Sequence, residues 1–553
     1  MLERSANNET APNVPTFQPS NVPTLVATGH AHLDIAWLWP LWRTRQKVAH
    51  TVATALHLME RYPEYYFSMS QPHVYTYLQH DDPELYARLK QRAAEGRFEP
   101  VGMMWLEADC NISGGESLVR HLLHGAQFFA EEFGELHHVV WLPDVFGYSA
   151  ALPQLLRLSG IDSFMTTKIS WNQFNRMPCD TFRWRGIDGS EVLTHFVTVT
   201  DQPMTHWAAP QFYTYNAHMT GGEVFGTWNH YRQQAINNEL LYIYGYGDGG
   251  GGPTEEMLEA ARAFADLPGF PRVRPGRVDQ FFKQLYERVW NDPRLPTWSG
   301  ELYLEYHRGT YTSQARTKAN NRAAELRYRE AEWLNAWAVV QGAHDRQGEL
   351  DEGWKLIMLN QFHDILPGSS VPLVYVESNE QYAQVQQIAC EVERGAIERI
   401  LTNDERPTTN DQATATPVLP PSSVVVWNSL PWDRTECVQI ELPHDAEPPQ
   451  VADPDGNALE TQIVEDADGG RALLAEVAVP SYGYAILGTG GEDKETRKQG
   501  NKETSTHSPL TTRHSSLENG ELRLELDDNG EIASLVDLRR GRELIAPGTS
   551  ANQ

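Results

Sequence analysis

At 553 residues, 40% of them hydrophobic and 22% charged, the chain is long enough for a large catalytic domain with smaller ones beside it, and it holds no apolar run long enough to span a bilayer. Its 74 acidic residues against 45 basic give a formal charge of −29, a field that repels phosphate backbones and anionic leaflets. Nucleic acid and membrane are therefore excluded as expected partners, whereas a neutral sugar is not, and sixteen Trp and twenty-two Tyr suit sugar stacking.

Residues 1–22 are polar and rich in Pro, Asn and Thr, which reads as a flexible leader. No apolar core of a secretory signal follows the first charges, and the four cysteines (Cys110, Cys179, Cys390, Cys437) form no C-x-x-C pair. The cytoplasm is the expected compartment.

Over residues 23–295, short apolar runs (Leu25 to Ala27, Val139 to Leu142, Leu241 to Tyr244) alternate with helical stretches such as 117–133. That alternation predicts an α/β catalytic domain on a mostly parallel, barrel-like sheet. Residues 296–402 read as a three-helix bundle: Leu326, Trp333, Leu334, Trp337 and Val340 recur at helical spacing, a second helix runs from Trp354 to the Pro367-Gly368 stop, and a third from about Val374 to Leu401.

Residues 403–423 read as a Thr/Pro-rich linker and 424–487 as a small β domain, with period-two runs at 424–429 and 471–479. The polar stretch 488–516 reads as a disordered insert. Further alternating runs at 521–527 and 531–537 begin a C-terminal β-sandwich over 517–553, which at Gln553 lacks most of its partner strands and so reads as cut short.

Four segments carry chemistry. In TLVATGHAHLDIAWLWP (24–40) a strand leads into His30, His32 and Asp34, which period-two geometry points the same way. A metal could take an imidazole and a carboxylate from this stretch, though an H-x-D triplet by itself is as readily solvated or hydrogen-bonded. Asp144 follows an apolar run in HHVVWLPDVFGYSAALPQLL (137–156), where it is either a nucleophile or ligand, or the cap of the following helix. Asp248 precedes four glycines in LYIYGYGDGGGGPT (241–254); bare backbone there admits a close ligand, but no Lys-Ser/Thr follows and the carboxylate would repel phosphate. His363 and Asp364 lie at a helix end in NQFHDILPGSS (360–370), where a lone His is usually a dipole partner or a core residue.

Taken together, GHAHLDIAWLWP, EADCNISGGESLVR (107–120), WLPDVFGYSAALPQ, TKISWNQFNRMPCDTFRWRGIDGSEV (167–192), GYGDGGGGPT, GELYLEYHRGTYTSQA (300–315) and NQFHDILPGSS resemble glycoside hydrolase family 38 in order and spacing. The likeness is to the bacterial and cytosolic/vacuolar branch of its retaining α-mannosidases, strong from about Thr24 to Ser370 and loose in the β region. It implies a zinc ion held by His32, Asp34, Asp144 and His363, with Asp144 also the nucleophile. It further implies that the metal grips the O2 and O3 hydroxyls of mannose, that Trp37 floors the sugar and that Asp364 accepts from its hydroxyls. Asp248 is the acid/base candidate, with Glu107, Asp109 and Glu305 as substitutes, and His30 is placed beside the ligands rather than among them. The expected partner is an α-mannoside oligosaccharide, and family likeness makes a homo-oligomer an expectation too.

Two other readings compete. A zinc-dependent polysaccharide deacetylase also combines Asp and His ligands on an α/β domain, but it accounts for neither a ligand His from a helical bundle nor the glycine loop. A catalytically inactive carbohydrate-binding protein would keep the metal and lose turnover.

Overall fold

The structure, a computed structural model, describes residues 22–134, 136–200, 212–403, 423–443, 446–465, 470–490, 516–518, 521–526 and 532–545. The leader, the linker and the polar insert expected from sequence lie wholly or almost wholly outside these residues. The chain divides into two compact units, residues 1–419 with 429–431, and residues 420–428 with 432–553.

The first unit carries two five-stranded sheets. In one, Thr24–His30 pairs in parallel with Glu239–Tyr244 along most of its length, with Arg272–Pro275 through its first half and with Phe67–Met69 at its end. Phe98–Pro100 then adds beyond Phe67–Met69, also in parallel. In the other, Val139–Trp141, Ser163–Thr166 and Glu191–Phe196 are parallel, and Thr181–Arg185 joins antiparallel. The expected parallel α/β organisation is present. Its strands fall into two sheets, and among the described residues no strand pairing closes them into one barrel. Near-continuous burial, as in Leu240, Leu241, Tyr242 and Ile243, reflects sheets covered on both faces, which is why these strands read as apolar runs without alternation.

Three helices, Ala315–Val340, Gln347–Asn360 and Pro372–Asn403, form the expected bundle around Ala324, Tyr328, Trp354, Ile357, Val385 and Ala389. The middle helix begins seven residues before Trp354 and stops at Asn360, short of the Pro-Gly pair. Its end is set by long-range pairing: Asp109 N–H donates to the Gln361 carbonyl at 2.9 Å, and Ala108 bridges Phe362. Backbone groups that would extend the helix are thus joined to the loop after Phe98–Pro100.

The second unit contains two three-stranded antiparallel sheets, Ser423–Asn428 with Gly483–Gly490 and Gln450–Ala452, and Arg434–Leu442 with Arg471–Val479 and Thr461–Glu465. Val451, Leu473, Ala475, Val477 and Leu487 fill the core of this region. A four-stranded antiparallel sheet, from Ser516–Glu518 to Arg542–Glu543, accounts for the last period-two runs. No helix among the described residues is long and apolar enough to cross a membrane.

Candidate active site

Parallel strands deliver their following loops to one edge of a sheet, and that edge builds the site here. His32 and Asp34 follow the strand Thr24–His30, Ser70 follows Phe67–Met69, Glu107 follows Phe98–Pro100 and Asp248 follows Glu239–Tyr244. From the other sheet, Asp144 follows Val139–Trp141 and Lys168 follows Ser163–Thr166. His363 and Asp364 arrive from the bundle on the turn after Asn360.

One ligand atom from each of His32, Asp34, Asp144 and His363 lies within 4.8 Å of all the others, and all four residues are buried. The His363 ring is oriented from behind. Its Nδ1 is 2.7 Å from the Glu107 carbonyl, which can only accept, so Nδ1 carries a proton and Nε2 points into the cluster. That Nε2 is buried without a hydrogen-bond partner, 3.4 Å from Asp34 Oδ1 and 3.8 Å from Asp144 Oδ2. His32 turns Nδ1 towards Glu107 Oε2 at 3.0 Å and Nε2 towards Asp34 Oδ1 at 2.9 Å. A buried pocket that leaves His363 Nε2 without a hydrogen-bond partner beside two carboxylates is unfavourable as it stands. One divalent cation satisfies all four groups, so the donor set fits a metal.

Without a cation the imidazoles take the balancing charge: burial would lower His32 and His363, but Glu107 and Asp34 outweigh it at His32 and Asp34 and Asp364 outweigh it at His363, so both are raised. Burial would raise the Asp34 carboxyl, but these imidazoles hold it below the usual range. Burial, with Asp34 nearby, pushes Asp364 up. Burial also raises Asp248, reinforced by the Asp34 and Asp144 carboxylates.

A cavity of about 650 Å³ opens over this cluster, lined by Asp34, Trp37, Asp144, Lys168, Asp248 and Asp364 among others. Asp248 Oδ1 accepts from the Tyr215 hydroxyl at 2.8 Å and from Asn216 Nδ2 at 3.3 Å. Its backbone sits at φ 55°, left-handed and uncommon for a side-chain-bearing residue, with its carbonyl accepting from Asp34 N–H at 2.9 Å. Asp364 Oδ1 accepts from the Ser369 hydroxyl at 2.5 Å.

Several expectations change. The glycines after Asp248 make room for protein rather than ligand: at Gly250, with φ +78°, a Cβ would come within 2.5 Å of Leu33 and Thr51. His30 lies outside the ligand group, where it was expected: Nδ1 meets the Ser68 carbonyl at 2.8 Å, and Nε2 faces Trp141 Nε1 at 3.4 Å across the two sheets. Of the substitute acids, Glu305 accepts from the backbone of Phe174 and Asn175, Asp109 caps Asn111 and Ile112, and Glu107 accepts from Ser70 while facing His32. None of the three lines the cavity.

Sequence reasoning assigns no role to Lys168, yet its Nζ donates to Asp144 Oδ1 at 2.6 Å and lies 4.5 Å from the Trp171 ring centroid. With the side chain 8% exposed, this is a buried ion pair. Its signal in the sequence is its place just after an apolar strand, the same signal that marks Asp144.

Residues 23–301 match the family described as Glycosyl hydrolases family 38 N-terminal domain, and residues 305–400 match the Alpha mannosidase middle domain. The chain is 35% identical over 534 residues to Alpha-mannosidase 2C1 of Homo sapiens, covering 96% of this chain and 46% of that protein. It is 42% identical over 357 residues to Alpha-mannosidase of Saccharomyces cerevisiae, covering 63% of this chain and 32% of the other. The chain thus spans about half the length, or less, of these relatives. A solved structure of an alpha-mannosidase from Enterococcus faecalis V583 superposes with a TM-score of 0.69 at 19% identity, over 94% of this chain and 61% of that one, a likeness that bears on the fold alone.

Proposed function

The chain belongs to glycosyl hydrolase family 38, and from that premise we propose that it is a zinc-dependent retaining exo-α-mannosidase acting on terminal α-mannosyl linkages of oligosaccharides. The observation that carries this reading is the convergence of His32, Asp34, Asp144 and His363, the two carboxylates lining a cavity that also presents Asp248, Trp37 and Asp364. The names of the relatives support the substrate class.

In this reading His32, Asp34, Asp144 and His363 would hold a zinc ion, which would supply Lewis-acid chemistry to the bound sugar. The Asp144 carboxylate attacks the anomeric carbon and forms a mannosyl ester as the glycosidic bond breaks. Asp248, its carboxyl raised by burial and neighbouring negative charge, gives its proton to the leaving oxygen. It then takes a proton from water, whose oxygen attacks the anomeric carbon as the bond to Asp144 breaks, releasing the Asp144 carboxylate. Two inversions leave the α-anomer. Lys168 holds one Asp144 oxygen, Trp37 floors the ring and Asp364 accepts from sugar hydroxyls.

The proposed compartment is the cytoplasm, consistent with four free cysteines. NMR of 4-nitrophenyl α-mannoside hydrolysis tests the proposal: α-mannose appears first, before mutarotation. β-Mannose first would refute the retaining assignment. Acetate release from acetylated sugars without mannoside cleavage would favour the deacetylase.

A further inference from the structure

Gln71 stands just past the strand Phe67–Met69 with φ 67° and ψ 84°, a left-handed backbone that a residue with a side chain seldom adopts. Pro72 follows as the first residue of the helix Pro72–Asp81, and a proline presses the residue before it towards extended backbone, so the local sequence works against this conformation. The Gln71 side chain makes no capping bond to that helix. It is 2% exposed, and both ends of its amide bond instead to loops of the metal-ligand cluster.

Topology explains the reach. Phe67–Met69 lies between Thr24–His30 and Phe98–Pro100, all three parallel, so the loops that follow these strands leave the sheet side by side. Gln71 Nε2 donates to the Leu33 carbonyl at 2.9 Å, and Gln71 Oε1 accepts from the Glu107 N–H at 3.2 Å. A carbonyl can only accept and a backbone N–H can only donate, so the two partners fix which way round the amide sits. Leu33 separates His32 from Asp34, while Glu107 meets His363 Nδ1 with its carbonyl and His32 Nδ1 with its carboxylate. Two hydrogen bonds thus place Gln71 one residue away from His32, Asp34 and His363, three of the four clustered residues. Ser70 adds a further tie, its hydroxyl donating to Glu107 Oε1 at 2.7 Å.

We propose that Gln71 is a positioning residue of the metal centre: its amide sets the spacing between the His32–Asp34 loop and the Glu107 loop, and the strained backbone persists because from there the side chain reaches both. The inference rests on the reading of His32, Asp34, Asp144 and His363 as a metal site. Glycine would adopt the same backbone without strain but could make neither bond, so stability and metal binding make opposite demands on this position.

Gln71→Ala and Gln71→Gly separate the two demands, because both remove the amide and only glycine relieves the backbone. On the full chain, zinc affinity in chelator competition should fall about 10–100-fold in both variants alike. The metal-free Gly variant should nonetheless resist denaturant better than the metal-free Ala variant. The visible absorption of bound cobalt(II), which reports ligand geometry, should change in both. Affinity restored in Gln71→Gly would make the residue purely structural, and affinity and cobalt spectra like those of the unmodified chain, or equal stability of the two variants, would likewise overturn the proposal. Should Gln71→Ala fail to fold, Gln71→Gly against the unmodified chain decides: weaker metal binding with an altered cobalt spectrum supports the role, and unchanged values contradict it. An unmodified chain that takes up neither zinc nor cobalt would overturn the metal site itself and this role with it, an outcome distinct from variants that bind as the unmodified chain does.

Discussion

Glu107 holds His363 by its backbone and His32 by its side chain: its carbonyl accepts from His363 Nδ1 at 2.7 Å, and its carboxylate faces His32 Nδ1 at 3.0 Å. One loop residue therefore orients imidazoles from the α/β sheet and from the bundle. Glu107→Gln keeps the backbone contact and removes the charge. The expected outcome is metal affinity weaker by about 10–100-fold in chelator competition, with the fold retained. Unchanged affinity would remove the carboxylate from this role.

Lys168→Met removes the ammonium that pairs with Asp144 Oδ1. A fall in kcat of roughly a hundredfold is expected on aryl mannosides, with KM changing far less, and Lys168→Arg should recover much of it. Loss confined to KM would instead make Lys168 a substrate contact.

Asp248→Ala should slow substrates with poor leaving groups by about 10²–10⁴-fold and those with activated aryl groups far less, because a low-pKa leaving group needs little protonation. In the unmodified protein, rates should fall as pH rises through the raised Asp248 pKa, since the acid must carry its proton to act. That alkaline limb should be absent from the variant on activated substrates. Equal losses on both substrate types would move the acid role elsewhere.

Gly250→Ala puts a Cβ within 2.5 Å of Leu33 and Thr51 at a left-handed backbone position. Denaturant unfolding should show a loss of about 2 kcal/mol. Because Leu33 bridges Gly249 and Asp34 bonds the Asp248 carbonyl, turnover should fall as well. A variant as stable and active as the unmodified chain would contradict the packing role.

The sheets are legible because their buried strands read as apolar runs ending in short polar motifs, and Asp144 and Asp248 stand just beyond such runs. His363 is not legible alone. Its meaning depends on Gln361 and Phe362 meeting Asp109 and Ala108, contacts between segments some 250 residues apart that no local period encodes. Lys168 hides for a related reason, since only the parallel pairing of Ser163–Thr166 with Val139–Trp141 sets it beside Asp144. The glycines after Asp248 mislead in the opposite direction, as a bare backbone looks the same in sequence whether a ligand or Leu33 approaches it. In the C-terminal unit, Arg434–Leu442 escapes the period-two reading because none of its side chains is buried and only Val438, Ile440 and Leu442, in its second half, alternate towards the core.

Zinc content measured against mannosidase rate tests the catalytic metal site most directly. Elemental analysis of the purified chain, stripped with a chelator and titrated with zinc, should show hydrolysis of 4-nitrophenyl α-mannoside lost with the metal and restored at one equivalent, but not in His363→Ala. Full activity in protein shown to be free of metal would contradict the assignment of His32, Asp34, Asp144 and His363 as a catalytic metal site.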